Sequence, residues 1–240
     1  MSNDERELSI LGHLTELRKR LIRSVIAVII TTALSFLFYN EIFDILIRPA
    51  PPGIALQAIE ITEMLGTIMK VCLTSGVILA MPYLTYELIM FVSPALTPRE
   101  KRYVYLGLPW LALMFASGVV FTYFILLPPA IRFLLTIGSD IATIQPRIRD
   151  YISIVTRLLL AVGLVFEMPV LTTFLARLGI VKSKWLADRR KIAIIFAFIL
   201  AAIITPTFDP INQSLVALPL IVLYEMSIWL ARLVQRKEPA

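Results

Sequence analysis

Long uncharged stretches alternate along the chain with short polar connections. Five of these stretches run for 15 or more residues without a charged side chain. Such stretches indicate membrane-spanning helices, because a helix at the surface of a soluble protein needs one polar face. A sixth apolar stretch, about Ser153–Leu178, carries one glutamate near its middle. The pattern predicts an all-α polytopic membrane protein with six transmembrane helices, near residues 22–40, 64–92, 104–127, 153–178, 191–206 and 213–231.

The fifth and sixth predicted spans are short. Residues 191–206 leave about 14 helical residues, roughly 21 Å, which is less than the ~30 Å hydrocarbon core of a bilayer. We expect the sixth span to be similar. Either the boundaries lie further out, or the bilayer is thinned beside these helices. Prolines inside four of the spans are typical of kinked helices and favour a cupped shape: Pro82, Pro109, Pro169 and Pro219.

Lysine and arginine are distributed unevenly between the two predicted faces. The N-terminal segment, the second and fourth connections and the C-terminal tail carry 17 of the 23 basic residues. Basic residues concentrate on the cytoplasmic side, so we expect both termini inside, with an amphipathic segment over residues 1–21 and a tail over residues 232–240. The same asymmetry explains the net charge of +6, and we expect no nucleic-acid partner.

The N-terminus is polar and acidic and lacks the features of a cleaved signal or a transit peptide. We therefore expect a bacterial inner (cell) membrane as the location. Because the predicted spans follow one another with short connections, we expect residues 1–240 to form a single integral membrane domain.

Two outer connections have patterns of their own. The sequence RPAPPG follows the first span, so we expect a sizeable loop over residues 40–63. The sequence LLPPAIRFLL, at residues 126–135, places apolar side chains at helical spacing around Arg132. This spacing predicts a short helix that lies in the outer interface.

The sequence offers little catalytic chemistry at membrane depth. Its single histidine, His13, precedes the first span, and no aspartate lies in the middle of a span. These positions argue against intramembrane serine and aspartyl proteases, and the sequence has no glycine-rich phosphate loop. Cys72 is the only cysteine, so we expect no disulfide framework and no thiolate metal site. We expect a protein that is not an enzyme and needs neither cofactor nor metal.

The segment HLTELRKRL, at residues 13–21, is amphipathic and precedes the first span. Glu16 and Arg18 lie away from its apolar face, and Glu16 is placed to pair with Arg20 four residues later. A charged helix in the membrane interface and a binding surface both remain possible here. The apolar face is formed at helical spacing by Ile10, Leu14, Leu17 and Leu21.

The segment FVSPALTPREKR, at residues 91–102, contains one acid, Glu100, in an otherwise basic loop. One interpretation is a helix N-terminus with a capping box, in which Thr97 is the N-cap, Pro98 the first helical residue and Glu100 the third. The other interpretation is a carboxylate set in a basic face for binding a cation.

Glu167 lies in the middle of the fourth span, ten residues from both Arg157 and Arg177. Ten helical residues correspond to about 15 Å, which places this carboxylate near the middle of a bilayer. Ionisable groups at that depth are costly and are usually functional. Glu167 either locks helix packing through one hydrogen bond or docks a partner, and Thr205 and Gln213 are possible polar neighbours.

Motifs from end to end of the chain carry a resemblance to a known family. HLTELRKRL precedes the first span, and FVSPALTPREKR follows the second. FEMP lies in the fourth span, TP…D…NQ joins the fifth to the sixth, and LP…LYE lies in the sixth. Their order and spacing resemble the TatC family, the multispan core of the twin-arginine protein translocase.

This resemblance implies roles for particular residues. By position, it implies a signal-peptide site formed by Glu16, Arg18, Phe91, Pro94, Leu96 and Glu100. It also implies an intramembrane polar patch that docks helices of TatA/TatB-family proteins, formed by Glu167, Thr205 and Gln213. Two further positions match family positions at the outer face, Pro49 and Asp209.

The chemistry of a twin-arginine ligand fits the two acids. A guanidinium group binds a carboxylate through two parallel hydrogen bonds, which an ammonium group cannot do. An exposed ion pair contributes only about 0–1 kcal/mol. Specificity therefore needs both Glu16 and Glu100, partly shielded from water, together with contact to the apolar segment of the signal. We expect Arg18 to position Glu16 or the loop.

The resemblance implies a non-enzymatic receptor and assembly core that moves folded proteins and is driven by the proton-motive force. Its expected partners are signal peptides, TatA/TatB-family single-span proteins, membrane lipid and further copies of the chain. A proton-coupled transporter of small solutes, with Glu167 as the relay, is the alternative, although we find no inverted repeat. A structural scaffold is the third possibility, and it predicts that Glu16 and Glu100 tolerate alanine.

Overall fold

The computed structural model describes residues 3–52, 54–92, 98–137, 145–205 and 209–235. Within these ranges the regular secondary structure is helical, so the predicted all-α class is confirmed. A π-helical turn, Thr122–Leu126, joins the fourth helix to the fifth. The helices are α1 Asn3–Leu37, α2 Tyr39–Ile47, α3 Glu63–Val92, α4 Pro98–Phe121, α5 Leu127–Thr136, α6 Ile148–Arg177, α7 Ser183–Asp188, α8 Arg190–Ile204 and α9 Pro210–Val234.

Five stretches of the described chain are helical, long and apolar enough to cross a membrane. They correspond to the first, second, third, fourth and sixth predicted spans. The fifth predicted span corresponds to α8, which has 15 residues and is therefore roughly 22 Å long. The predicted shortness of this helix is confirmed.

The expectation of a short sixth helix is wrong, because α9 has 25 residues. Its N-terminus lies earlier than the apolar pattern indicated, since the Asp209 carboxylate accepts a hydrogen bond from the backbone N–H of Asn212 at 2.7 Å. Pro210 follows as the first helical residue, a position where its missing N–H costs nothing. At the other end the helix continues through Val234, beyond the predicted end of the span.

The N-terminal amphipathic segment and the first span form one helix, α1. No proline interrupts residues 3–37, and the helix ends at Leu37. Only 6% of its apolar part is buried within the protein, against 33–39% for the four other long stretches. Most of the apolar surface of α1 therefore faces the surroundings of the protein.

The connection after α1 contains a helix in addition to the predicted loop. In α2 the side chains of Phe43 and Leu46 are buried, and the Tyr151 hydroxyl on α6 donates a hydrogen bond to the Leu46 carbonyl at 3.0 Å. The following loop is fixed to the start of α6 by Gln57, whose N–H donates to the Pro146 carbonyl and whose carbonyl accepts from Ile148. Apolar burial in α2 explains why this part of the predicted loop is helical.

The short helix predicted around Arg132 is present as α5, Leu127–Thr136. Leu127, Ala130 and Ile131 are buried, whereas Arg132 is exposed, so α5 has an inward and an outward face. Because the π-helical turn connects α5 directly to α4, the two form one continuous helical stretch.

Helix α6 is the centre of the packing and contacts α3, α4 and α9. Its fully buried residues include Ile152, Val155 and Val162. Helix α1 packs mainly on α3, at the other side from α9, and α8 packs mainly on α9. This order places α1 and α8 towards opposite ends of the row of helices and leaves a groove where α1, α3 and α6 meet.

The α1–α3 contact depends on a glycine. A Cβ atom added at Gly76 would lie 2.7 Å from the backbone of Thr32, closer than such atoms approach in folded proteins. The Gly76 carbonyl also accepts a hydrogen bond from the Thr31 hydroxyl at 2.8 Å. The absence of a side chain at Gly76 thus sets how closely α1 approaches α3.

Candidate functional site

The groove between α1, α3 and α6 has a volume of about 390 Å³. We call it the α1–α3–α6 groove. Its walls are mostly apolar side chains, chiefly leucines from the three helices, and its polar groups are few: Arg20 and Ser24 from α1, Thr85 and Glu87 from α3, and Glu167 from α6. A mostly apolar groove with a few convergent polar groups is typical of a ligand site.

Arg20 is shared between two carboxylates at one end of this groove. Its Nε and Nη2 donate to Oε1 of Glu16, at 3.1 and 2.5 Å. Its Nη1 donates to Oε2 of Glu87 on α3 at 2.9 Å. The predicted pairing of Glu16 with Arg20 is confirmed, and the same guanidinium also joins α1 to α3. We call Arg20 with its two acids the Arg20 bridge.

The two acids of the Arg20 bridge differ in their surroundings. The Glu16 side chain is 33% exposed, whereas the Glu87 side chain is 4% exposed. The Tyr83 hydroxyl donates to Oε1 of Glu87 at 2.8 Å, and Nη1 of Arg23 lies 4.0 Å from the same oxygen. Glu87 is therefore a buried acid with several partners, and Glu16 is the acid that water reaches.

Glu167 lies deeper in the groove and is hydrogen-bonded to α3. The Thr85 hydroxyl is 3.1 and 3.2 Å from the two carboxylate oxygens, and the same hydroxyl is 3.0 Å from the Met81 carbonyl. Glu167 is 4% exposed. A carboxylate at this depth with a hydroxyl as its hydrogen-bond partner combines a packing contact between α3 and α6 with a polar position in the groove wall.

Comparison with known proteins identifies the family. The model of the family described as Sec-independent protein translocase protein (TatC) matches residues 12–219. The chain belongs to the TatC family. The resemblance drawn from the motifs is therefore confirmed, and the chain is a component of the Sec-independent protein translocase. This membership supports the receptor interpretation over the solute-transporter alternative.

Two relatives are similar to the chain over almost their whole length. The Sec-independent protein translocase protein TatC of Carboxydothermus hydrogenoformans is 37% identical over 236 residues, which cover 98% of this chain and 97% of that protein. The protein of the same name from Aquifex aeolicus is 40% identical over 231 residues, covering 94% and 95%. A solved structure described as "Crystal Structure of Twin Arginine Translocase Receptor- TatC" has a TM-score of 0.84 and 40% identity, and the match covers 93% of this chain and 100% of that one.

Among the predicted signal-site residues of this TatC-family chain, Phe91 lines the groove, and Glu16 is joined to the groove residue Arg20 by an ion pair. Phe91 is half-buried and forms part of the groove wall. Arg18 is exposed and has no hydrogen bond or ion pair within the described part of the chain. Glu100 lies in the first turn of α4, which begins at Pro98 as the capping-box interpretation predicted. Pro94 and Leu96, together with the side chain of Glu100, lie outside the described residues.

The structure separates Glu167 from Thr205 and Gln213. The Thr205 hydroxyl donates to the Ala201 carbonyl at 2.8 Å, and Thr205 lies in a small cavity beside Asn212 and Leu158. Leu158 precedes Glu167 by nine residues on α6, about 13 Å along the helix. The side-chain hydrogen-bond partner of Glu167 is therefore Thr85, and the expected neighbours Thr205 and Gln213 lie elsewhere.

The two predicted outer-face residues have structural contacts. Asp209 caps α9 through the Asn212 backbone, and its other carboxylate oxygen accepts from the Asn212 side chain at 3.1 Å. Pro49 is half-buried in the turn that follows α2. Neither position lies on the helices α1 and α3 that form the Arg20 bridge.

Sequence reasoning missed Glu87 and Thr85. Glu87 is the only charged residue between Lys70 and Arg99. A lone acid in so long an apolar run is the same kind of signal that singled out Glu167. Tyr83, four residues earlier on the same helical face, was a second indication that this acid has local partners.

Proposed function

We propose that the chain is the signal-peptide receptor and assembly core of a twin-arginine translocase that moves folded proteins and uses the proton-motive force. The observation that carries the proposal is the α1–α3–α6 groove, where acids at one end meet an apolar wall. The neighbour described as a twin-arginine translocase receptor, at 40% identity, supports it. The chain acts as a binding protein and supplies no catalytic group.

The groove provides the two kinds of contact that a signal peptide needs. Glu16 is exposed enough to accept a guanidinium fork at the mouth of the groove. Leucine and phenylalanine side chains beyond it, including Leu88 and Phe91, provide apolar surface for the hydrophobic segment of the signal. Arginines around the site repel unspecific cations, so an isolated positive charge gains little there.

The loop before α4 completes the signal site in this proposal. Glu100 supplies a second acid for the second arginine of the ligand, and Phe91, Pro94 and Leu96 shape the approach to it. Arg18, which is exposed, has the proposed role of positioning Glu16 or the loop. Two carboxylates bind two guanidinium groups more selectively than one carboxylate does, which is the proposed basis of selectivity for paired arginines.

We further propose a topology of six spans with both termini in the cytoplasm of a bacterial cell. Helix α8 is then the fifth span, and its roughly 22 Å length requires local thinning of the bilayer. Residues 1–240 form one membrane domain. Many large apolar side chains on α8, such as Ile195, Phe196 and Ile203, are exposed and suited to contact with lipid or partner helices.

Single-span TatA/TatB-family proteins and further copies of the chain are the proposed partners within the membrane. Glu167, which lines the groove beside Thr85, offers a polar contact to an incoming helix. Thr205 and Gln213 offer a second polar position at the α8–α9 end. Pro49 and Asp209 shape the outer face by fixing the ends of α2 and α9.

Binding of paired signal peptides tests the proposal. Two peptides that differ only in Arg-Arg against Lys-Lys are titrated into the purified full chain in lipid nanodiscs. We expect tight binding of the Arg-Arg peptide only, and a loss of that binding in both Glu16→Gln and Glu100→Ala. Equal binding of the two peptides, or unchanged binding in both variants, would contradict the receptor proposal.

A further inference from the structure

Glu16, the carboxylate proposed to bind a signal arginine, already binds the guanidinium group of Arg20 from its own chain. Two nitrogens of Arg20 converge on a single oxygen of Glu16, Oε1. An incoming arginine therefore meets an acid whose positive partner is in place. A ligand that binds Glu16 must either displace Arg20 or share the carboxylate with it.

We propose that Glu87 is a positioning residue of the signal site, which receives Arg20 when a signal arginine takes Glu16. This inference rests on the proposed receptor function and deepens it. Arg20 acts as an internal competitor for Glu16, and Glu87 sets the strength of that competition. The exchange replaces one guanidinium on Glu16 by another and leaves Arg20 paired throughout.

The geometry allows this exchange without a large movement. Nη1 of Arg20 already donates to Oε2 of Glu87 at 2.9 Å, so release from Glu16 leaves one strong hydrogen bond intact. The position of Glu87 is fixed by a hydrogen bond from the Tyr83 hydroxyl at 2.8 Å and by the burial of its side chain, which is 4% exposed. The pair of Glu16 with Arg20 lies within one helix and is partly exposed, which is the weaker class of ion pair.

The exchange also contributes to discrimination between arginine and lysine. A signal guanidinium restores the two-nitrogen contact that Arg20 gives up on Glu16. A signal ammonium offers a point charge without the planar fork, so the displaced contact is not restored. Competition by Arg20 therefore weakens the binding of a lysine peptide more than that of an arginine peptide. The site is thus more selective for arginine than a Glu16 carboxylate without Arg20 would be.

A double-mutant cycle on the full chain in nanodiscs tests the inference. The variants are Glu87→Gln, Arg20→Gln and the two together, each titrated with the Arg-Arg and Lys-Lys peptides. We expect Glu87→Gln to weaken Arg-Arg binding about fivefold, because Arg20 then has only Glu16 as its partner. We expect Arg20→Gln to strengthen binding of both peptides and to narrow the preference for arginine. In the Arg20→Gln background, Glu87→Gln should have an effect of less than about twofold.

The matched control is Glu225→Gln, which removes an acid from the interhelical Arg–Glu pair between α8 and α9. It should leave the binding of both peptides unchanged. Weaker binding in Arg20→Gln, or an equal effect of Glu87→Gln in both backgrounds, would overturn the inference. If the unmodified chain prefers Arg-Arg but the cycle shows no coupling, only this inference fails. If the unmodified chain shows no preference, the proposed function fails with it.

Discussion

Two interhelical Arg–Glu pairs of this chain use the same chemistry in different surroundings. Arg190 on α8 binds Glu225 on α9 through two nitrogens and two oxygens, at 2.6 and 3.0 Å. The side chains of that pair are 43% and 38% exposed. Arg20 on α1 binds Glu87 on α3, which is 4% exposed, and divides its nitrogens between Glu87 and Glu16.

The comparison teaches that geometry and burial decide what such a pair does. The Arg190 pair is matched one to one, and its exposure limits its contribution to roughly 0–1 kcal/mol. The Arg20 bridge divides one guanidinium between two acids, and Arg20 and Glu87 line a groove. A partly exposed acid that shares its guanidinium with a second acid is suited to binding a cation, whereas a one-to-one pair on the surface is suited to fastening two helices.

The largest expected effect comes from breaking the α1–α3 contact that supports the Arg20 bridge. Gly76→Ala places a methyl group 2.7 Å from the Thr32 backbone, so we expect a loss of about 1–3 kcal/mol of stability and weaker signal binding. The measurement is thermal unfolding and peptide titration of the purified chain.

Gly107→Ala on α4 is the matched control, since nothing lies within 4 Å of its added Cβ atom. It should be neutral or stabilising by up to about 1 kcal/mol. Equal destabilisation by the two alanines would contradict the close approach of α1 to α3.

The second prediction compares the two pairs directly. Glu87→Ala leaves Arg20 and Arg23 without their buried acid, and we expect a stability loss of about 1–3 kcal/mol. Glu225→Ala removes an exposed partner and should cost less than about 1 kcal/mol. Thermal unfolding of both variants in one detergent measures the difference, and a larger loss for Glu225→Ala would reverse the comparison.

The third prediction concerns the acid at the deep end of the groove. Glu167→Gln keeps the shape and lets the amide donate to the Thr85 hydroxyl, so we expect transport to fall by less than about tenfold. Transport of a reporter protein in cells with a chromosomal replacement measures this. Complete loss of transport with normal protein levels would favour a proton relay at Glu167 over a hydrogen-bonding contact.

The smallest expected effect is at the far end of the molecule from the Arg20 bridge. Asp209→Ala removes the N-cap of α9 and should cost about 1 kcal/mol, whereas Asp209→Asn retains an acceptor and should cost less. Hydrogen exchange at the first turn of α9 measures the change. Signal-peptide binding should remain unchanged in both variants, because the groove does not include α9.

The pattern of apolar and polar residues predicted the helices well because helix formation depends on neighbouring residues in the sequence. An apolar stretch in a bilayer must satisfy its own backbone, and helices do so residue by residue. The predicted sixth span begins at residue 213, three residues after the observed start of α9, because the apolar pattern does not include the N-cap residue Asp209. The Asp209–Pro210 pair is a readable start signal, an N-cap followed by proline at the first helical position.

The contacts of the site were harder to predict because they join distant parts of the chain. Arg20 and Glu87 are 67 residues apart, and Thr85 and Glu167 are 82 apart. Which residues meet is decided by how α1, α3 and α6 pack, and helical periodicity does not contain that information. The motifs singled out Glu16 and Glu167 as polar positions of interest, whereas the hydrogen-bond partner of Glu167 followed only from the fold.

Site-specific crosslinking tests most directly whether the α1–α3–α6 groove receives the signal. A photoreactive residue replaces Leu88 in the groove or, as the matched position, Trp229 on the exposed side of α9. We predict that an Arg-Arg signal peptide crosslinks at position 88 and not at 229, and that the Lys-Lys peptide crosslinks at neither. Crosslinks at 229 alone, or equal yields from the two peptides at position 88, would contradict the account.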